Sequence, residues 1–169
     1  MAVQRILLLG DPALYTMAEE VRMDELDMLG TVVRDLHDTL MDFRARYGIG
    51  RAIAAPQIGV LKRLIYMNIN CEATVLINPR YTFLSDERME LWDDCMSFPN
   101  LLVLLSRHRK CTMEYRDINW NLETKDFEDG LSELIQHEYD HLDGILAVDR
   151  AIDHRSFRYR CLDTNDNVG

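Results

Sequence analysis

The sequence predicts an α+β fold: mostly antiparallel β-sheets packed around a helix in the C-terminal half, with an amphipathic helix nearer the N-terminus. Three observations carry this. Residues 24–47 hold one apolar stripe at helical spacing. Between residues 61 and 127, short β-prone runs alternate with polar turns. Residues 130–143 return to helical spacing and carry His137-Glu138-Tyr139-Asp140-His141.

Composition narrows the class before any element is placed. A chain of 169 residues is expected to form one domain, 1–169, with a full core. Apolar residues at 47% and charged residues at 28% suit a globular protein. A net charge of −10 argues against nucleic acid or an anionic membrane surface as partner. No apolar run approaches the ~20 residues of a bilayer span. Ile6-Leu7-Leu8-Leu9 is too short for a secretory signal, and no small-residue cleavage site follows it. Cys71, Cys95, Cys111 and Cys161 are scattered without a CxxC pair, which favours free thiols. The expected location is the cytoplasm or an organelle interior.

Taken in order, residues 3–9 read as a strand closed by the turn Gly10-Asp11-Pro12. Leu26, Leu29, Val33, Leu36, Leu40 and Phe43 then recur three or four apart. Asp24 stands where it could cap this helix and Gly48 where it could close it. His37, beside the stripe, is given a structural or surface role. Gly48 to Gly59 is rich in small residues, so another backbone or a substrate can come close. Gln57, the only polar side chain between Ile53 and Ile58, reads as buried and hydrogen-bonded. Strands are expected over 61–69 and 74–77, the second stopped by Asn78-Pro79. Further strands over 81–91, 101–106, 110–117 and 121–127, with a turn at Ile118-Asn119, suggest an antiparallel meander. Leu131, Leu134, Ile135 and Leu142 mark the buried side of the last helix, and Gly144 its cap. Residues 150–169 are polar, and 164–169 are expected to be disordered.

The chemistry sits in that last helix. Residues i and i+4 share a helix face, so His137 and His141 can reach one metal ion with Glu138 beside them to handle protons. Random occurrence of H-E-x-x-H in a chain of this size is roughly a one-in-a-few-hundred event. A catalytic site of this kind takes three protein ligands and leaves one position open. No glutamate follows Glu138, and Ala147 stands where one group of zinc enzymes has a third histidine. Asp149, Asp153 and His154 downstream, and Cys95 upstream, are the remaining third ligands. A cysteine thiolate is a strong ligand for Fe(II) or Zn(II).

Three segments together resemble peptide deformylase. They are Gly50-Arg51-Ala52-Ile53-Ala54-Ala55-Pro56-Gln57, then Asp93-Asp94-Cys95-Met96-Ser97, then Gln136-His137-Glu138-Tyr139-Asp140-His141-Leu142-Asp143-Gly144. The match runs from Leu9-Gly10-Asp11-Pro12 to about Asp149. The resemblance implies hydrolysis of the N-formyl group from the first methionine of new polypeptides, releasing formate. It implies Cys95, His137 and His141 as metal ligands, Fe(II) first, with Zn(II), Ni(II) or Co(II) as substitutes. Glu138 would be the acid and base, and the Gln57 side chain and Met96 N–H would stabilise the oxyanion. Gly50, Arg51, Ala52, Ile53, Met96, Glu133 and Leu134 would lie against the substrate. Asp93 and Arg107 would support the site as an ion pair. Partners would be N-formylated nascent chains, met at the ribosome exit, with no nucleic acid or membrane bound directly.

Five positions depart from the family pattern. Ala52 replaces a glycine, Asp93-Asp94 replaces Glu-Gly, and Leu102 replaces an arginine near the substrate. Glu133 replaces an apolar residue lining the methionine pocket. These leave the metal chemistry in place and bear on which side chain is accepted. A deformylase-like amidohydrolase acting on another formamide, or a non-catalytic metal-binding module, are the competing readings.

Overall fold

The computed structural model describes residues 2–160. The N-terminal segment does not join a sheet. The Leu7 N–H donates to the Gln57 carbonyl at 2.8 Å and the Leu9 N–H to the Ser97 carbonyl at 2.8 Å. The expected strand over 3–9 is thus an extended strap whose donors find loop carbonyls instead of a strand edge. Gly10 turns the chain with φ +99°, and Asp11 caps a 3-10 turn at Pro12–Tyr15.

Helix α1 spans Leu26–Tyr47 and ends on Gly48 in the left-handed conformation. Asp24 does not cap it. A 3-10 turn at Met23–Glu25 precedes the helix, the Asp24 carboxylate faces Arg22, and Glu25 accepts the Arg22 N–H at 2.8 Å. Then come β1 (Ala52–Ala54), a 3-10 turn at Ala55–Ile58 holding Gln57, and β2 (Leu64–Ile69). β3 (Glu72–Leu84) runs straight through Asn78-Pro79. Pro79 has no N–H to give, and the register with the next partner strand shifts between Ile77 and Arg80, so a bulge accommodates it without ending the strand. Asn78 takes φ +50° there, and its side chain exchanges two hydrogen bonds with the Val21 backbone, both 2.8 Å.

β4 (Arg88–Asp94), β5 (Leu101–His108), β6 (Lys110–Arg116) and β7 (Leu122–Glu128) follow, then helix α2 (Gly130–Leu142). These strands do not form one meander. The larger sheet has the order β1-β2-β3-β6-β7, and β4 and β5 leave it to form a second sheet. A last strand, β8 (Phe157–Tyr159), completes that sheet against β5, in a stretch where the polar sequence gave no strand signal. The expected disorder at 164–169 lies outside the described residues.

Alternation along the strands explains the layering. Ile53, Leu64, Tyr66 and Ile77 point from one face of the larger sheet into α1, against Leu36, Leu40 and Phe43. Ala52, Ala54, Ile65, Met67 and Leu76 point from the other face into α2, against Leu134, Ile135 and Leu142. β2 is covered on both faces, which is why Leu64 to Met67 reads as a continuous apolar run. Val103, Leu105 and Arg107 are the buried side of β5, so α2 lies between the two sheets. Gly144 closes α2 at φ +71°, and a Cβ there would meet the Tyr15 backbone at 2.7 Å. No described helix is long and apolar enough to cross a membrane.

Candidate metal centre

Three elements meet at one point. α2 presents His137 and His141 on one face, as i,i+4 spacing requires. Cys95 follows the last residue of β4, where the chain leaves the smaller sheet and turns. The Cys95 Sγ lies 3.3 Å from the His141 Nε2, which lies 3.2 Å from the His137 Nε2. All three side chains are buried. A thiol and two imidazole nitrogens converging this closely are the donor set of a transition-metal site. The other third-ligand candidates are elsewhere: Asp149 and Asp153 hydrogen-bond to local backbone N–H groups, and His154 is exposed.

The His137 ring is fixed from behind. The His137 Nδ1 faces the Asp93 carboxylate at 2.9–3.0 Å, leaving Nε2 for the centre. Asp93 also receives Arg107 Nη2 at 3.2 Å, as the sequence pairing predicts. Arg107 is only 4% exposed and reaches on to Asp140, which also accepts Arg150 Nη2 at 2.8 Å. The line His137–Asp93–Arg107–Asp140–Arg150 thus runs from the centre to the surface. Arg150 was missed by sequence reasoning, because a charged residue in a polar stretch looks solvated.

Burial opposes charge on His137, and the Asp93 carboxylate and Cys95 sulfur outweigh it, raising its pKa. Burial, then His137, lowers that of His141. Burial raises Asp93, but His137 and Arg107 win and hold its carboxyl below the usual range. Burial pushes the Glu138 carboxyl up to about 7. Glu138 is buried, and its Oε2 has no hydrogen-bond partner among the described residues. A carboxylate held apart from donors, beside two imidazoles, is suited to exchanging protons near neutral pH.

Gln57 is 1% exposed, as expected of a hydrogen-bonded core glutamine, but its partners aim it at the centre. Its Oε1 accepts the Ala54 N–H at 3.0 Å, which settles which end of the amide points inward. Its Nε2 then lies 3.6 Å from Cys95 Sγ and 3.3 Å from Ser97 Oγ. The Met96 N–H donates to no acceptor among the described residues. Ser97 entered the sequence reading only as the last residue of the Asp93–Ser97 segment, with no role given to it.

A cavity of about 510 Å³ opens beside the centre. Gln57, Met96, His137 and Glu138 line its inner end, with Gly50, Arg51, Ala52, Glu133 and Leu134 along its walls. Ile53 is not among them: alternation on β1 turns its side chain into α1. Leu102 sits in β5 opposite Asp94 and Arg158. Asp94 pairs with Arg160 at the cavity wall, and Arg44 holds the Gly50 carbonyl at 3.0 Å and the Asn68 carbonyl at 2.7 Å. Asp93, Glu133 and His137 also bring donor atoms together, but Arg107 and Arg51 already neutralise the two carboxylates.

An α+β fold in which two histidines of one helix and a cysteine after a strand end meet beside a buried carboxylate has the donor set and the acid–base group that metal-assisted hydrolysis uses. A family model described as polypeptide deformylase matches residues 3–156. A peptide deformylase of Leptospira biflexa is 34% identical, with 94% of this chain and 93% of that protein covered. A crystal structure of a peptide deformylase from Legionella pneumophila is 34% identical and superposes with a TM-score of 0.80, covering 88% of this chain and 86% of the other. One from Acinetobacter baumannii, bound to Met-Ala-Ser, is 26% identical with a TM-score of 0.81, covering 88% and 98%. The chain belongs to the polypeptide deformylase family, whose members are metalloenzymes.

Proposed function

We propose that this chain is a peptide deformylase, hydrolysing the N-formyl group from the first methionine of newly made polypeptides. The observation that carries the reading is the meeting of Cys95 Sγ, His137 Nε2 and His141 Nε2 within 4.8 Å of one another, beside the unpartnered Glu138 carboxylate. Cys95, His137 and His141 would hold a divalent cation, which supplies the Lewis acidity that makes water a nucleophile at neutral pH. Fe(II) is the first choice, with Zn(II), Ni(II) or Co(II) as substitutes, because a thiolate with two imidazoles suits all four.

The remaining work falls to the chain's own side chains. Glu138 takes a proton from the attacking water at its free carboxylate oxygen. As the formyl carbon becomes tetrahedral, charge builds on its oxygen. The Gln57 Nε2, held by the Ala54 N–H, and the Met96 N–H donate to it; one such donor is typically worth about 3–4 kcal/mol. Glu138 returns the proton to the leaving amine, and the C–N bond breaks to give formate and a free amino terminus. Asp93 holds the His137 ring, and Arg107 holds Asp93. The whole chain, 1–169, would act as one catalytic domain in the cytoplasm or an organelle interior, meeting its substrate at the ribosome exit.

The test is formate release from formyl-Met-Ala-Ser by protein prepared anaerobically with Fe(II), and in parallel with Ni(II), Co(II) and Zn(II). Absence of formate with every metal bound would overturn the reading. Glu138→Ala should abolish turnover while leaving metal content unchanged. A second reading, hydrolysis of another formamide, is favoured by one observation: Glu133 puts a carboxylate in the cavity wall.

A further inference from the structure

Glu133 lies one helical turn before His137, so its side chain shares the face of α2 that carries the ligands. It is buried, and its Oε2 accepts Arg51 Nη2 at 2.8 Å. Its Oε1 accepts no hydrogen bond among the described residues, and the residue lines the cavity. Its carboxylate comes within 4.8 Å of the donor atoms of His137 and Asp93, close to the reacting end. Arg51 is tethered more loosely. Its side chain is 48% exposed, and its other contact is the Gly130 carbonyl at 3.0 Å. Elsewhere the cavity is lined by the polar Arg44, Asn68 and Asn70 and by the apolar Phe43, Met96 and Leu134.

The part of the wall at Glu133 is poorly matched to a purely apolar side chain. A thioether laid against Glu133 would strip water from a carboxylate oxygen and give nothing back. A side chain ending in an amine or amide would donate to that oxygen, and an amine could also displace Arg51 into solvent. The first side chain of a formylated peptide branches at the carbon bonded to the formyl nitrogen, so its tip falls within reach of a group beside the centre.

We propose that Glu133, steadied by Arg51, is a specificity-determining residue, and that it widens the accepted substrates to N-formylated peptides whose first side chain ends in an amine or amide. This rests on the deformylase reading of the same site. It extends that reading to side chains such as lysine and glutamine, of about methionine's length.

The experiment measures formate release from formyl-Met-, formyl-Lys- and formyl-Gln-Ala-Ser by metal-loaded protein, as wild type, Glu133→Leu and Glu133→Gln. It also measures binding of the free products Met-Ala-Ser and Lys-Ala-Ser by calorimetry. Glu133→Leu should move the kcat/KM ratio of formyl-Lys to formyl-Met towards methionine by about tenfold or more, because the polar partner of the amine is lost. Glu133→Gln, which keeps size and an acceptor, should move it less and spare formyl-Gln. Product binding should shift the same way. Formate release with an unchanged ratio in both variants would overturn the proposal. No formate from any peptide, with the Glu133-dependent binding preference intact, would overturn the deformylase reading and support the pocket assignment.

Discussion

Removing Arg107 should destabilise the fold strongly. Its side chain is 4% exposed, and it is held by two carboxylates, Asp93 and Asp140, that are 1% and 8% exposed. Replacing Arg107 with methionine keeps much of the volume but takes one partner from each carboxylate. Asp93 keeps His137, and Asp140 keeps Arg150, so the loss is partial at each end. Breaking a buried ion pair by deleting one partner typically costs about 3–5 kcal/mol, and that range is expected here. With a urea m-value of about 2 kcal/mol per M, the midpoint should fall by roughly 2 M. Urea unfolding followed by circular dichroism, with chelator present so that metal affinity does not enter, is the assay. Arg150→Ala is the control. It touches the same Asp140, but its side chain is 47% exposed, and solvent screening holds the expected cost to about 1 kcal/mol or less. Equal losses in the two variants, or a loss below about 1 kcal/mol for Arg107→Met, would refute the idea that burial of this network sets its energy.

Three other outcomes follow from the same geometry. Gly144→Ala should destabilise by about 2–4 kcal/mol in the same urea assay, since its φ is +71° and the new Cβ would meet the Tyr15 carbonyl carbon and oxygen at 2.7 Å. Gln57→Leu should lower kcat for formyl-Met-Ala-Ser by about 10²–10³ with little change in KM, because its Nε2 acts on charge that exists only in the transition state. A chelator should abolish formate release and lower Tm, and readdition of the metal should restore both, since an ion held by Cys95, His137 and His141 stabilises only the folded chain.

Much of the fold could be read from local pattern, and the failures have physical causes. α1 and α2 were legible because periodicity and a closing glycine agree at Gly48 and Gly144. The strap over 3–9 was not, because an apolar run says that a segment is covered and not what covers it. Asn78-Pro79 looked like a strand end because a proline breaks the ladder. The side chain of Asn78, bonded to Val21, lets β3 continue. The separation of β4 and β5 from β6 is a tertiary choice: a short link such as that between His108 and Lys110 usually implies pairing, and here it crosses between sheets. In the site, spacing alone gave His137, Glu138 and His141. Cys95 had competitors until the family resemblance ranked it, because nothing local ties a strand end to a helix far along the chain. Arg44 and Arg150 were invisible for the same reason, and Ser97 was seen only as part of a motif.

α2 itself explains why these polar residues sit where they do. A helix between two sheets would ordinarily be apolar all round. This one buries Ser132, Glu133, Gln136, His137, Glu138, Asp140 and His141. Most are matched from a neighbouring element. Gln136 receives the His108 N–H at 3.0 Å and donates to the His108 carbonyl at 2.8 Å, and Ser132 donates to the same carbonyl at 2.9 Å. Asp140 takes the two arginines, and His137 takes Asp93. Among the described residues, the fully buried side-chain atoms of this helix left unmatched are the Glu138 Oε2 and the His141 Nδ1. A buried carboxylate oxygen without a donor is costly to keep, so its survival beside Cys95, His137 and His141 points to use and not to packing. The polar residues around it are held by partners on neighbouring elements, and the Glu138 Oε2 stays free among them.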